Sequence, residues 1–176
     1  MEKEHGAHEL LKLHEVIQKL KDGLNLYNLY SPQIKNEDFA RLVEYQQHFI
    51  KSEWKMFLDE LCSPTANVCT YGMYTIFEPT YGYKSISLES DTKFSEQEVA
   101  SSLLAQCKST ALVKLSAALE CANPDLRQLM VQSSNNSVHQ AYDIWRFMNV
   151  VGYYQVPVFT EETTEAIIQS LKNIEP

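Results

Sequence analysis

No stretch of this chain is basic. The net charge is −8 and the pI near 5.1, whereas binding to nucleic acid or anionic lipid needs clustered lysine and arginine to displace counterions. Missing as well is any apolar run of membrane-spanning length, and the acidic opening "MEKEHGAHEL" lacks the apolar core of a secretory signal. The expectation is cytoplasmic synthesis, with no nucleic-acid partner and no membrane insertion.

The cysteines are few and unpaired in sequence. Cys62, Cys69, Cys107 and Cys121 form no CxxC, which removes the usual zinc cluster. Cys107 and Cys121 share one predicted helix and lie about 21 Å apart by helical rise, too far to bridge each other. Buried thiols are expected. There is no GxSxG nucleophile turn and no glycine-rich phosphate loop. A Cys and His pair assembled by folding alone is the nucleophilic scheme left open, with nothing in the sequence to orient it.

What is present is helical periodicity. The 176 residues are 44% hydrophobic and 22% charged, enough for one domain, 1–176, with a proper core. Residues 7–29 carry Leu10, Leu13, Ile17, Leu20, Leu24 and Tyr27 at 3-4-3-4-3 spacing, an apolar stripe closed by Ser31 and Pro32. A second helix is predicted over 36–62 through Phe39, Val43, Ile50, Phe57 and Leu61, with Glu37 and Asp38 in its positive first turn. Residues 63–94 lose the period. They hold two "TYG" tripeptides and many aromatics and read as an ordered connection.

Regularity resumes at "SEQE", where Ser95 and Glu98 make a capping box. The third helix spans 95–122 through Val99, Leu103, Val113 and Ala117. "ANPDLRQL" opens the fourth, over 124–151, with Asn123 as cap and Pro124 at the first position; Gly152 closes it. The tail, 152–176, holds a short helix capped by Thr160. Two helical hairpins joined by one long crossover between helices two and three make an all-α, ferritin-like four-helix bundle.

A ferritin-like di-metal site needs two single carboxylates and two Glu-x-x-His pairs facing inward. Helix two offers "EYQQHF", where His48 comes four residues after Glu44, out of register. Helix four has Asn136 three before His139, and an amide cannot offset the charge of a metal pair. The candidate ligands reduce to His139, His14 and Glu53, too few for two metals. What remains is a polar core layer of Gln46, Glu53, Gln106, Thr110, Ser133, Ser137 and Gln140 at stripe positions where aliphatic residues are expected. A cavity lined by Gln46, Gln106 and Gln140 would favour a small-ligand-binding regulatory bundle.

"HELLKLHE" (8–15), "ANPDLRQL" (122–129) and "FMNVVGYYQVP" (147–157) resemble the coat F family of bacterial endospore coat proteins. The resemblance runs from about residue 7 to 157 and implies a ferritin-like fold and a place in the proteinaceous shell of the spore. Some members carry Glu where this chain has Asn136, ahead of the matching His139, so the departure weakens an inherited metal role. The implied function is a non-catalytic structural component with no cofactor, whose partners are other spore coat proteins and further copies of itself. A metal-dependent ferritin-like oxidoreductase is the competing class. Tyr71, Tyr74, Tyr81 and Tyr83 in the crossover, with Tyr153 and Tyr154 in the tail, are the candidate interaction or cross-linking residues.

Overall fold

The computed structural model describes residues 5–62, 73–78 and 94–173. Five α-helices follow one another: α1 (Ala7–Tyr30), α2 (Glu37–Cys62), α3 (Glu96–Glu120), α4 (Pro124–Val150) and α5 (Glu161–Lys172). A 3₁₀ turn, Ser31–Gln33, joins α1 to α2, and no strand occurs among the described residues. The four long helices begin and end within two residues of the positions their periodicity predicts, because each is bounded by local chemistry. Ser95 and Glu98 exchange the reciprocal capping-box bonds at 3.2 and 2.8 Å. Asn123 Oδ1 accepts from the backbone N–H of Asp125 and Leu126. Gly152 adopts a φ of +86° after α4, a conformation that favours glycine.

The helices form a ring in which α1 packs on α2 and α3, and α4 packs on α3 and α2. End-to-end contacts set the directions. Glu9 at the start of α1 accepts a hydrogen bond from Asn123 N–H, at the junction of α3 and α4, and His5 meets the Glu60 carbonyl near the end of α2. At the other end Glu96 Oε1, opening α3, accepts from Lys35 and Asn36 N–H before α2. Helices α2 and α3 therefore run parallel, and every packed pair is antiparallel. Between them, residues 73–78 lie extended alongside α4, with Tyr74 N–H donating to Asn136 Oδ1 and Phe77 N–H to Asp143 Oδ2.

The core is aromatic at one end and aliphatic along its length. Phe39 and Phe147 stack at 4.3 Å, and Tyr153 meets Phe147 edge-on at 6.1 Å, both favoured ring geometries. Two stripes sit differently from expectation. On α1 the buried face is Leu13, Val16, Leu20, Gly23 and Tyr27 with Glu9, while Leu10 is 42% exposed; the helix is rotated so that Glu9 turns inward to its N–H donors. On α3, Lys114 is buried where Val113 was expected, and Val113 is half-buried. No described helix is long and apolar enough to cross a membrane.

Glu9 is the electrostatic pin of its end of the bundle. One oxygen accepts from Gly6 N–H at 2.8 Å and the other from Asn123 N–H at 2.6 Å. Burial pushes its carboxyl up, but the N–H groups of Asn123, Gly6 and Ala122 outweigh that and hold it below the ordinary 4.5. A depressed folded value gives stability that is full above 4.5 and lost as the pH falls through it. Glu9→Gln should therefore lower stability at neutral pH and flatten the acid limb of the unfolding curve. Urea titrations of both proteins between about pH 3 and 7 test this; parallel pH profiles would remove Glu9 from the account.

Candidate functional site: a buried polar core

Midway along the bundle three helices contribute to a buried charged cluster. Glu53 of α2 and Lys114 of α3 are both fully buried, with Lys114 Nζ 2.6 Å from Glu53 Oε2. An ammonium has three protons. The other two go to Ser137 Oγ at 2.9 Å and the Ser133 carbonyl at 3.3 Å, both on α4. Ser133 Oγ in turn donates to the second oxygen of Glu53 at 2.6 Å. Burial pushes the Lys114 ammonium down from its ordinary value, and the Glu53 carboxylate opposes the shift. The cluster satisfies every Lys114 proton, and its charge is compensated locally.

A second network draws on all four long helices. Tyr27 of α1 donates to Gln46 Oε1 of α2 at 2.5 Å and lies 3.4 Å from Cys107 Sγ of α3. Gln46 Nε2 donates to the Gln140 carbonyl of α4 and to Tyr74 Oη. Tyr74 Oη then donates to Asp143 Oδ2 at 2.6 Å. Burial pushes the Asp143 carboxyl up, against the bonds from Phe77 N–H and Tyr74 and the nearby Arg146. Arg146 also holds the Phe77 carbonyl and Glu78, so α4 grips the described part of the crossover from both sides. Burial likewise raises Cys107 to about 11, leaving the thiol protonated and unreactive at neutral pH.

A third group lies between α1 and α3. Lys19 donates to Gln106 Oε1 at 3.1 Å, and Thr110 Oγ1 donates to the Gln106 carbonyl. Gly23 permits this, because a Cβ there would stand 3.0 Å from Gln106 Nε2. A cavity of about 10 Å³ is lined by Gln106, Thr110, Gln140, Tyr27 and Cys107, room for about one water. Gln46 does not line it, so the pocket that would have favoured a regulatory ligand has a different lining and only the size of a water.

All seven residues of the expected polar layer are buried: Gln46, Glu53, Gln106, Thr110, Ser133, Ser137 and Gln140. The three candidate ligands are not gathered. His14 lies on the exposed face of α1, Glu53 is committed to Lys114, and His139 is half-buried with its Nδ1 unpartnered. Among the described residues no three His, Cys, Asp or Glu converge on a metal position. Tyr74, a candidate interaction residue, is 2% exposed and points its hydroxyl inward, because Asp143 is there to accept it. Tyr71, Tyr81 and Tyr83 lie outside the described residues. Tyr153 is half-buried and Tyr154 exposed. Of the thiols, Cys107 and Cys121 are buried and Cys62 is exposed, against expectation; Cys69 is outside the described residues.

Sequence reasoning missed Lys114 and Asp143 as members of the core, and it placed Tyr27 on the α1 stripe without its bond to Gln46. A signal existed for Lys114, which stands four residues after Thr110 and three before Ala117, on their stripe. Asp143 stands three after Gln140 and seven after Asn136 on the inner face of α4.

Comparison with known proteins bears on this arrangement. Residues 95–157, which include α3, α4 and the Gly152 exit, match the Coat F domain. The likeness to the coat F family holds. A curated relative, the spore coat protein F-like protein YhcQ of Bacillus subtilis (strain 168), is 24% identical over 172 residues, covering 94% of this chain and 79% of its own length. No solved structure matches the chain. Of the polar core, Lys114, Ser133, Ser137, Gln140 and Asp143 fall within the coat F match, and Glu53, Gln46 and Tyr27 lie before it.

Because removing one member of a buried pair strands the other charge, Lys114→Met should cost about 3–5 kcal/mol. Adding Glu53→Leu should restore most of that loss, since a packed apolar pair is close to neutral against an ion pair. Denaturant midpoints of the two single variants and the double variant read the coupling. Simple additivity would show that Lys114 and Glu53 do not depend on each other.

Proposed function

We propose that this protein is a structural component of the endospore coat, a non-catalytic scaffold in which residues 1–176 act as one ferritin-like domain. It is synthesised in the cytoplasm and then built into the coat, with other coat proteins and further copies of itself as partners. The observation that carries the reading is the Glu53–Lys114 pair. In a di-metal bundle, inward carboxylates offset bound cations; here the inward carboxylate of α2 is neutralised by an ammonium belonging to the chain itself. The coat F match and the spore coat relative support the location.

The polar core supports rigidity rather than turnover. Its buried lysine is paired with Glu53, the thiol within it is raised to about 11, and its cavity takes a single water. Assembly then belongs to the outside, where the tail "GYYQVPVF" leaves Val156, Val158 and Phe159 at 50, 87 and 72% exposure. Tyr153 and Tyr154 begin that tail, and Tyr154 is the exposed member of the pair.

A fluorescent fusion followed through sporulation should mark the surface of the forespore and remain with purified spores. Signal spread evenly through the mother cell would defeat the coat assignment. Tyr153→Ser with Tyr154→Ser should reduce the amount recovered in coats while leaving the helical spectrum intact; unchanged recovery would remove these tyrosines from assembly. Incubation of the reduced protein with iron or manganese should leave no stoichiometric metal. Retained metal that disappears in His139→Ala would overturn the scaffold reading.

A further inference from the structure

Helix α3 is apolar on two sides. Its inner face builds the core, and its outer face carries Ala105, Lys108, Leu112, Leu115 and Leu119, all exposed and spaced 3-4-3-4. Leu112 and Leu119 are 68 and 82% exposed. That spacing is the seam of a helix that packs against another helix, and none of the described helices covers it. Helix α5 presents the complementary case. It is amphipathic, with Thr164, Ile167, Ile168 and Leu171 on one side, yet every residue of it is exposed. An isolated helix of this length is marginal without a surface to bury its apolar face.

We propose that α5 of one copy docks on the outer seam of α3 of another, running parallel to it. The lengths agree: α5 is 12 residues, about 18 Å, and the rise from Lys108 to Glu120 is also about 18 Å. The charges agree as well. Glu161, Glu162 and Glu165 open α5 and Lys172 closes it, so the parallel register sets the acids near Lys108 and the lysine near Glu120, with Ile167, Ile168 and Leu171 over Leu112, Leu115 and Leu119.

The same geometry argues against a chain covering its own seam. The tail leaves the bundle at Tyr154, whose ring lies 6.0 Å from Lys108 Nζ. Residues 155–160 are exposed, carry no helix and include Pro157, which holds its neighbourhood extended. Six residues reach at most about 20 Å; the structure leaves α5 of the same chain exposed along its whole length, and a return onto the seam from its far end would run antiparallel. That would set Glu161 and Glu162 beside Glu120 and Lys172 beside Lys108, like against like. A second copy meets neither constraint. Because donor helix and acceptor seam are different surfaces, the contact is head-to-tail and propagates unless it closes into a ring. The inference deepens the self-association part of the scaffold reading.

The test uses the purified full-length chain in sedimentation velocity across a range of concentrations. The wild type should associate beyond a monomer. Leu112→Glu with Leu115→Glu on the seam, and separately Ile168→Glu with Leu171→Glu on α5, should each weaken association by roughly tenfold or more and keep the helical spectrum. Mixing the two variants should restore a 1:1 dimer, since each retains the half the other lacks. A wild type that stays monomeric, or a mixture that fails to pair, would overturn the proposal. Hydrogen exchange in α5 that is slow at every concentration would also overturn it, by showing a contact within one chain. Localisation in spores is a separate readout, so either idea can fail alone.

Discussion

A lysine deprived of water must keep its acid, and much of the bundle is arranged around that requirement. Lys114 and Glu53 come from α3 and α2, which sit diagonally across the ring, and the serines that complete their coordination come from α4. Sliding any of these helices by one turn, about 5.4 Å, would separate the charges or break the bonds to Ser133 and Ser137. An aliphatic layer would have tolerated such a slip at less cost, because apolar contact is not directional. The pair thus contributes register more than net stability, in keeping with the cost of desolvating both ions.

The same logic recurs toward the ends and along the crossover. Glu9 and Glu96 each tie a helix start to backbone N–H groups of a different part of the chain. Asn136 and Asp143 on α4 accept the N–H groups of Tyr74 and Phe77. An extended segment beside a helix has no sheet partner for its backbone, so side chains have to supply the acceptors. This explains why α4 carries polar residues on its inner face at Asn136 and Asp143. Asn136, three residues before His139, is here used to hold a loop.

Outside the core the chemistry changes from buried polarity to exposed apolarity. The seam on α3 and the apolar side of α5 are exposed surfaces whose burial would release water.

The helices, their caps and their ends were legible because each depends on residues close in sequence: Ser95 with Glu98, Asn123 with Pro124, Gly152 after α4. The polar layer was legible as an interruption of the apolar stripe. Only the tertiary structure paired its members, since Glu53 and Lys114 are 61 positions apart and Tyr74 and Asp143 are 69 apart, and periodicity reports which face a residue occupies without naming what it faces. Tyr74 turned inward for that reason: a tyrosine in an irregular segment takes its direction from its acceptor, which lies on another helix. The sequence by itself determined the helices and the presence of a polar core. Packing decided that the core is closed by an ion pair of its own.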